Sequence, residues 1–97
     1  MYDVSFELYD HLLDLLCYEI GSKGYYSGVI DFSFDGMECS LHLAAVTYHS
    51  TDHAAGEKWT YLSDIVPVWW EFHTYDEEGE EALNNFSFNE LRELLKD

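Results

Sequence analysis

Basic residues are scarce in this chain. Four Lys and Arg stand against twenty Asp and Glu in 97 residues, a formal net charge of −16 at pH 7. Neutralising backbone phosphates or an anionic bilayer takes clustered cations. Composition therefore excludes direct nucleic-acid binding and membrane association, and it favours a basic protein partner. Cysteine is nearly as scarce: Cys17 and Cys39 form neither a disulfide framework nor a CxxC metal motif. Both fall on positions expected to face the core, as buried thiols that behave as small hydrophobes. That usage fits a reducing compartment, so a cytoplasmic location is expected, with a Cys17–Cys39 bridge as the reading for a secreted chain. No segment approaches transmembrane length. Asp3, Glu7, Asp10 and Asp14 interrupt the region where a signal peptide needs a basic stretch and then an apolar run.

The local signatures of catalysis are also missing. There is no Gly-rich phosphate loop, no nucleophile elbow and no Cys/His pairing at a helix start. Carboxylate pairs are plentiful only because carboxylates are, which deprives acid–base nominations of discriminating power. The run Asp76–Glu81 lacks EF-hand spacing. A non-enzymatic protein without a cofactor or a metal is the expectation.

What the chain does hold is apolar mass. Hydrophobic residues make up 47% of it, and eight Tyr, six Phe and three Trp supply large buried surfaces. Such a composition folds despite its charge, and the length fits one domain over residues 1–97.

Residues 3–20 are predicted to form a helix. At 100° per residue Val4, Leu8, Leu12, Leu13, Leu15, Leu16 and Ile20 share one broad side, while Asp3, Glu7, Asp10 and Asp14 line the other. Gly21 and Gly24 end it. Residues 25–34 then alternate, with Tyr26, Ile30, Phe32 and Phe34 on one face. Asp35-Gly36 follows as a two-residue turn of type I′. Residues 37–48 alternate again. This loop length pairs Phe34 with Met37, Phe32 with Cys39 and Ile30 with Leu41, all on the apolar face, and a one-residue slip would destroy the match.

Residues 50–58 read as a loop, and Trp59–Leu62 as a short strand broken near Ser63-Asp64. Residues 65–75 read as a third strand, with Val66, Val68, Trp70 and Phe72 inward and Pro67, Trp69, Glu71, His73 and Tyr75 outward. Pro67 requires an edge or a bulge. Ser87 with Glu90 forms a capping box, and Phe86 with Leu91 a hydrophobic staple, at the start of a C-terminal helix. The predicted fold is α+β in the order α-β-β-β-α: an antiparallel sheet with the N- and C-terminal helices packed mainly on one face.

Two surfaces then compete for a partner. One is the carboxylate row Asp3, Glu7, Asp10 and Asp14, suited to a Lys/Arg-rich protein and, as an alternative reading, to mimicry of a nucleic-acid backbone that blocks a DNA- or RNA-binding protein. The other is the outer sheet face, where Tyr25, Tyr48, Trp69 and Tyr75 project. It suits a drier contact with a basic partner or a homodimer, unless residues 50–64 fold over it. A third reading places a metal between His42, His73 and Glu71, provided their strands are neighbours. His49 and His53 have ligand spacing only if their segment is helical.

Overall fold

The computed structural model describes residues 1–96. The first helix, α1, spans Phe6–Ile20 and so begins later than its acidic spacing implies. The reason lies at the other end of the chain. Tyr2 donates its backbone N–H to the Leu83 carbonyl at 2.6 Å and accepts from Asn85 N–H at 3.3 Å. The Val4 N–H donates to Asn85 Oδ1 at 2.7 Å. Residues 2–4 are held extended by these bonds, and the helix starts at Ser5, whose Oγ accepts from the Leu8 N–H at 3.2 Å. Asp3 therefore drops out of the helical row; its carboxylate accepts from Asn85 Nδ2 at 3.3 Å. Val4, half-buried, leaves the helix too. The leucine side is otherwise as expected, with Leu8, Leu12, Leu13, Leu16 and Ile20 buried. Gly21 stops the helix at φ 57°, its N–H donating to the Cys17 carbonyl.

Four antiparallel strands follow: β1 (Tyr25–Phe34), β2 (Met37–Ala54), β3 (Glu57–Tyr75) and the two-residue β4 (Glu81–Ala82), in spatial order β1-β2-β3-β4. The β1–β2 register pairs Phe34 with Met37, Phe32 with Cys39 and Ile30 with Leu41. Asp35 and Gly36 both take positive φ, as a type I′ turn requires.

The predicted loop at 50–58 is a second hairpin. Ala55 and Gly56 turn at positive φ, and β2 and β3 run past the domain as a two-stranded ribbon. Both ribbon faces meet water, so the alternation that marks a half-buried strand is missing from its sequence. The ribbon gives the molecule extents of 52 × 25 × 19 Å and a radius of gyration of 14.6 Å, against about 12.5 Å for a compact domain of this length.

Irregularities reset the facing of β3. Ala44 pairs with Trp69 but Ala45 with Pro67, leaving Val68 as the extra residue of a bulge; a second shift leaves Ser63 out. Because facing alternates every residue, each inserted residue reverses the phase beyond it. Ile65, paired with Thr47, is buried, Val68 is exposed and Val66 is half-buried beside Val46 on the outer face. The inward assignment of Val66 and Val68 thus fails at the bulge. Phe72 does face the core, stacked on Phe86 with ring centres 4.2 Å apart, and Trp70 packs edge-on against Phe86.

Both helices cover one sheet face. The core joins the α1 leucines to Cys39, Leu41, Leu43 and Ala45 of β2 and to Phe86, Phe88 and Leu91 at the C-terminal end. Cys39 is buried, and burial pushes its thiol up to about 11. Cys17 is exposed on α1, against expectation: it lies just outside the leucine stripe. Neither cysteine is in a disulfide.

The final helix, α2, spans Phe88–Lys96. Ser87 Oγ accepts from the Glu90 N–H at 3.4 Å. The reciprocal bond of a capping box comes from elsewhere, because the Ser87 N–H donates to the Tyr9 hydroxyl of α1 at 3.0 Å. Arg92 clamps α2 to β3 through two bonds to Asp64, Nε–Oδ1 at 3.1 Å and Nη2–Oδ2 at 3.0 Å, and Lys96 Nζ stands 3.7 Å from the same carboxylate.

Two stability measurements check this docking. Tyr9→Phe should cost about 1 kcal/mol in chemical unfolding, because the Ser87 N–H loses its acceptor. Asp64 is held below its ordinary carboxylate range, first by the hydrogen bond from Arg92. A lowered folded pKa gives stability that is present above the unfolded value and lost as pH falls through the folded one. Arg92→Met should therefore lower the melting temperature at pH 7, and the gap from wild type should close toward pH 2.

Candidate functional site

The sheet register arranges the outer face into rows. From the ribbon end these are Tyr25–Val46–Val66, Ser27–Ala44–Trp69, Val29–His42–Glu71, Asp31–Ser40–His73 and Ser33–Glu38–Tyr75. The face is therefore divided along the strands. Its ribbon half is apolar and aromatic; its other half carries two histidines and most of its carboxylates.

Among the described residues no element covers this face. Tyr25, Tyr48 and Trp69 are 52%, 53% and 51% exposed, far above what a core aromatic retains. Residues 50–64, the segment that was the candidate cover, form the ribbon and its root instead. Tyr25, Tyr48 and Trp69 lie in or beside the apolar half. Tyr75 does not join them: it lies six positions along β3 from Trp69, about 20 Å. It sits half-buried against His73, ring centres 6.4 Å apart.

The ribbon adds two aromatics that sequence reasoning passed over. Tyr61 pairs with Ser50 and Trp59 with Asp52, on the same alternation as Tyr48, and both are exposed. The Trp-Thr-Tyr alternation at 59–61 was the available signal.

The acidic row on α1 is shorter than its spacing implied. Glu7, Asp10 and Asp14 remain, exposed, over about 10 Å of helix. They face away from the sheet, so this edge and the aromatic face lie on opposite sides of the molecule. Among the described residues none of the three meets a Lys or Arg, whereas two of the chain's four cations converge on Asp64.

The histidine half of the outer face is closely knit. His42 is the cross-strand partner of Glu71, and His73 lies two residues along β3. The two imidazoles stand edge to face with centres 5.7 Å apart, and His42 also lies 6.4 Å from the Trp69 ring. His73 Nε2 is 3.0 Å from Glu71 Oε2 and its Nδ1 is 3.2 Å from Glu81 Oε2. With a carboxylate at each ring nitrogen the protonated form is favoured, and the Glu71 and Glu81 bonds hold the His73 pKa above its ordinary value. His49 and His53 do not assemble with these. Their segment is strand, where a spacing of four spans about 13 Å, and His49 Nε2 bonds the Gly21 carbonyl at 2.8 Å.

The Asp76–Glu81 turn is organised by its own first residue. Asp76 Oδ1 accepts from the N–H groups of Glu78 and Glu80, at 2.9 and 3.0 Å.

No family model, no curated protein and no solved structure matches this chain. Among the described residues no helix is long and apolar enough to cross a membrane.

The state of His73 can be read directly. Histidine ring NMR should place its pKa above that of an unperturbed histidine, and Glu71→Gln and Glu81→Gln should each lower it. Since the folded value is raised, this group stabilises the fold fully below the unfolded pKa, and the contribution fades as pH rises through the folded one.

Proposed function

We propose that this protein is a non-enzymatic interaction domain that docks a basic protein through the aromatic half of its outer sheet face. One observation carries the reading: Tyr25, Tyr48 and Trp69 stand exposed together around Val46 and Ala44 on a sheet face that, among the described residues, no other element covers. Large rigid aromatics bury much area at low entropic cost and are the residues that dominate interface energies. Charge supports the choice of partner. Asp31, Glu38 and Glu71 share the face, and a chain at −16 repels its own copies while attracting a cationic surface. Homodimerisation through this face has to overcome that repulsion.

The α1 edge bears a second reading, imitation of a phosphate row. It rests on three exposed carboxylates that no Lys or Arg neutralises among the described residues. With Asp3 absent from the row, this edge is the weaker candidate.

The two surfaces separate by mutation. Proteins captured from the native lysate on the wild-type chain are identified and then titrated individually against variants. Tyr48→Ala with Trp69→Ala should weaken a basic partner at least about tenfold and leave the circular dichroism spectrum unchanged. Asp10→Lys with Asp14→Lys should have a small effect, one that vanishes in high salt. The opposite pattern, with DNA competing for the partner, would transfer the role to α1. A Trp69-dependent dimer seen by light scattering would replace the basic partner with a second copy.

A further inference from the structure

We propose that His42, Glu71 and His73 form a surface site for a zinc-type divalent ion, with Glu81 as the carboxylate that orients His73. The site lies on the same outer face, beside the aromatic half proposed for docking, and it stands on backbone register rather than on that reading. On a strand, positions two apart share a face, which brings Glu71 and His73 together on β3. His42 lies directly across from Glu71 on β2, so its Cα is within about 5 Å of Glu71 and about 7–8 Å, on the diagonal, from His73. Three donors thus rise from one small patch of sheet. Their rings already have the required separation. Metal–nitrogen bonds of about 2.0–2.1 Å put the centres of two imidazoles on one tetrahedral ion roughly 5–6 Å apart; here they are 5.7 Å apart.

Glu81 adds the feature that distinguishes a built site from two neighbouring histidines. A metal-bound imidazole usually donates its other N–H to a carboxylate, which sets the tautomer and raises ligand basicity. Glu81 Oε2 stands 3.2 Å from His73 Nδ1. A proton held there leaves Nε2 with its lone pair directed at Glu71, 3.0 Å away. An ion bound by these two atoms takes the place of the proton that bridges them when the ring is doubly protonated. His42 then completes the set by turning its ring, since in the present rotamers only the Asp76, Glu78 and Glu80 carboxylates bring three ligand atoms within 4.8 Å of one another among the described residues. Two imidazoles and one carboxylate suit zinc and its first-row neighbours, whereas calcium and magnesium take all-oxygen sets. Water completes the coordination, because the patch is open: the side chains of His73 and Glu71 are 28% and 50% exposed.

The test titrates zinc chloride into the full chain near pH 7.5, read by calorimetry and by histidine ring NMR. Expected is one-to-one binding in which the His42 and His73 ring signals move and those of His49 and His53 do not. His42→Ala and His73→Ala should each abolish the ring shifts at the other histidine. Glu81→Gln should weaken binding about tenfold, and Asp76→Asn with Glu78→Gln should leave it unchanged. The proposal is overturned if zinc fails to bind at millimolar concentration, if the His42 and His73 rings stay still in the wild type, or if binding follows the acidic turn instead. The wild-type ring shifts decide the matter even for a variant that does not fold.

Discussion

The pairing of β2 with strands on both sides is the constraint on which the rest of this structure depends. Cys39, Leu41, Leu43, Ala45 and Thr47 alternate inward along the central strand and join one core with the buried sides of both helices, α1 lying nearest β1 and α2 nearest β3. Because facing has a period of two, it also obliges Ser40, His42, Ala44, Val46 and Tyr48 to point outward. The composition of the outer face is thus the complement of the core. It cannot be slipped by one residue without burying a histidine and exposing three aliphatic side chains.

Charge is subordinate to this packing. The like charges of α1 contribute nothing favourable to the helix, which holds because its leucines are buried. Two of the four Lys and Arg join elements: Arg92 and Lys96 both address Asp64, tying α2 to β3. That leaves Glu7, Asp10 and Asp14 of α1 and Glu77, Glu78 and Glu80 of the acidic turn without a Lys or Arg neighbour among the described residues, while His73, when protonated, relieves Glu71 and Glu81. The outer face accordingly splits into an aromatic half, where contact with a partner can be dry, and a titratable half, where protons or ions compete.

Much of the fold was legible because local chemistry and global packing agree there. The Asp35-Gly36 turn permits only one loop length for the flanking alternation, and the observed register is that one. Ser87 announces α2, and Phe86 and Leu91 are buried beside it. The illegible parts have identifiable causes. Ala55-Gly56 makes the same kind of turn, but its strands meet water on both faces and carry no apolar rhythm. Val68 and Ser63 are bulged residues, and an insertion that changes phase leaves no mark in composition. Asp3 was lost from the helical row through bonds to Asn85, 82 residues away. Of the surface aromatics, Tyr25, Tyr48 and Trp69 were placed together correctly on alternation, while Tyr75 lies too far along β3.

The sequence by itself determined the two helices, the first hairpin and the sign of the surface, because turn dihedrals, side-chain periodicity and ionisation are local properties. Tertiary structure alone decided which residues meet. It brought Glu81 of β4 to His73 and the Tyr9 hydroxyl to the Ser87 N–H, and it packed no described element on the outer sheet face. Those outcomes depend on where distant segments pack, and no local preference encodes that.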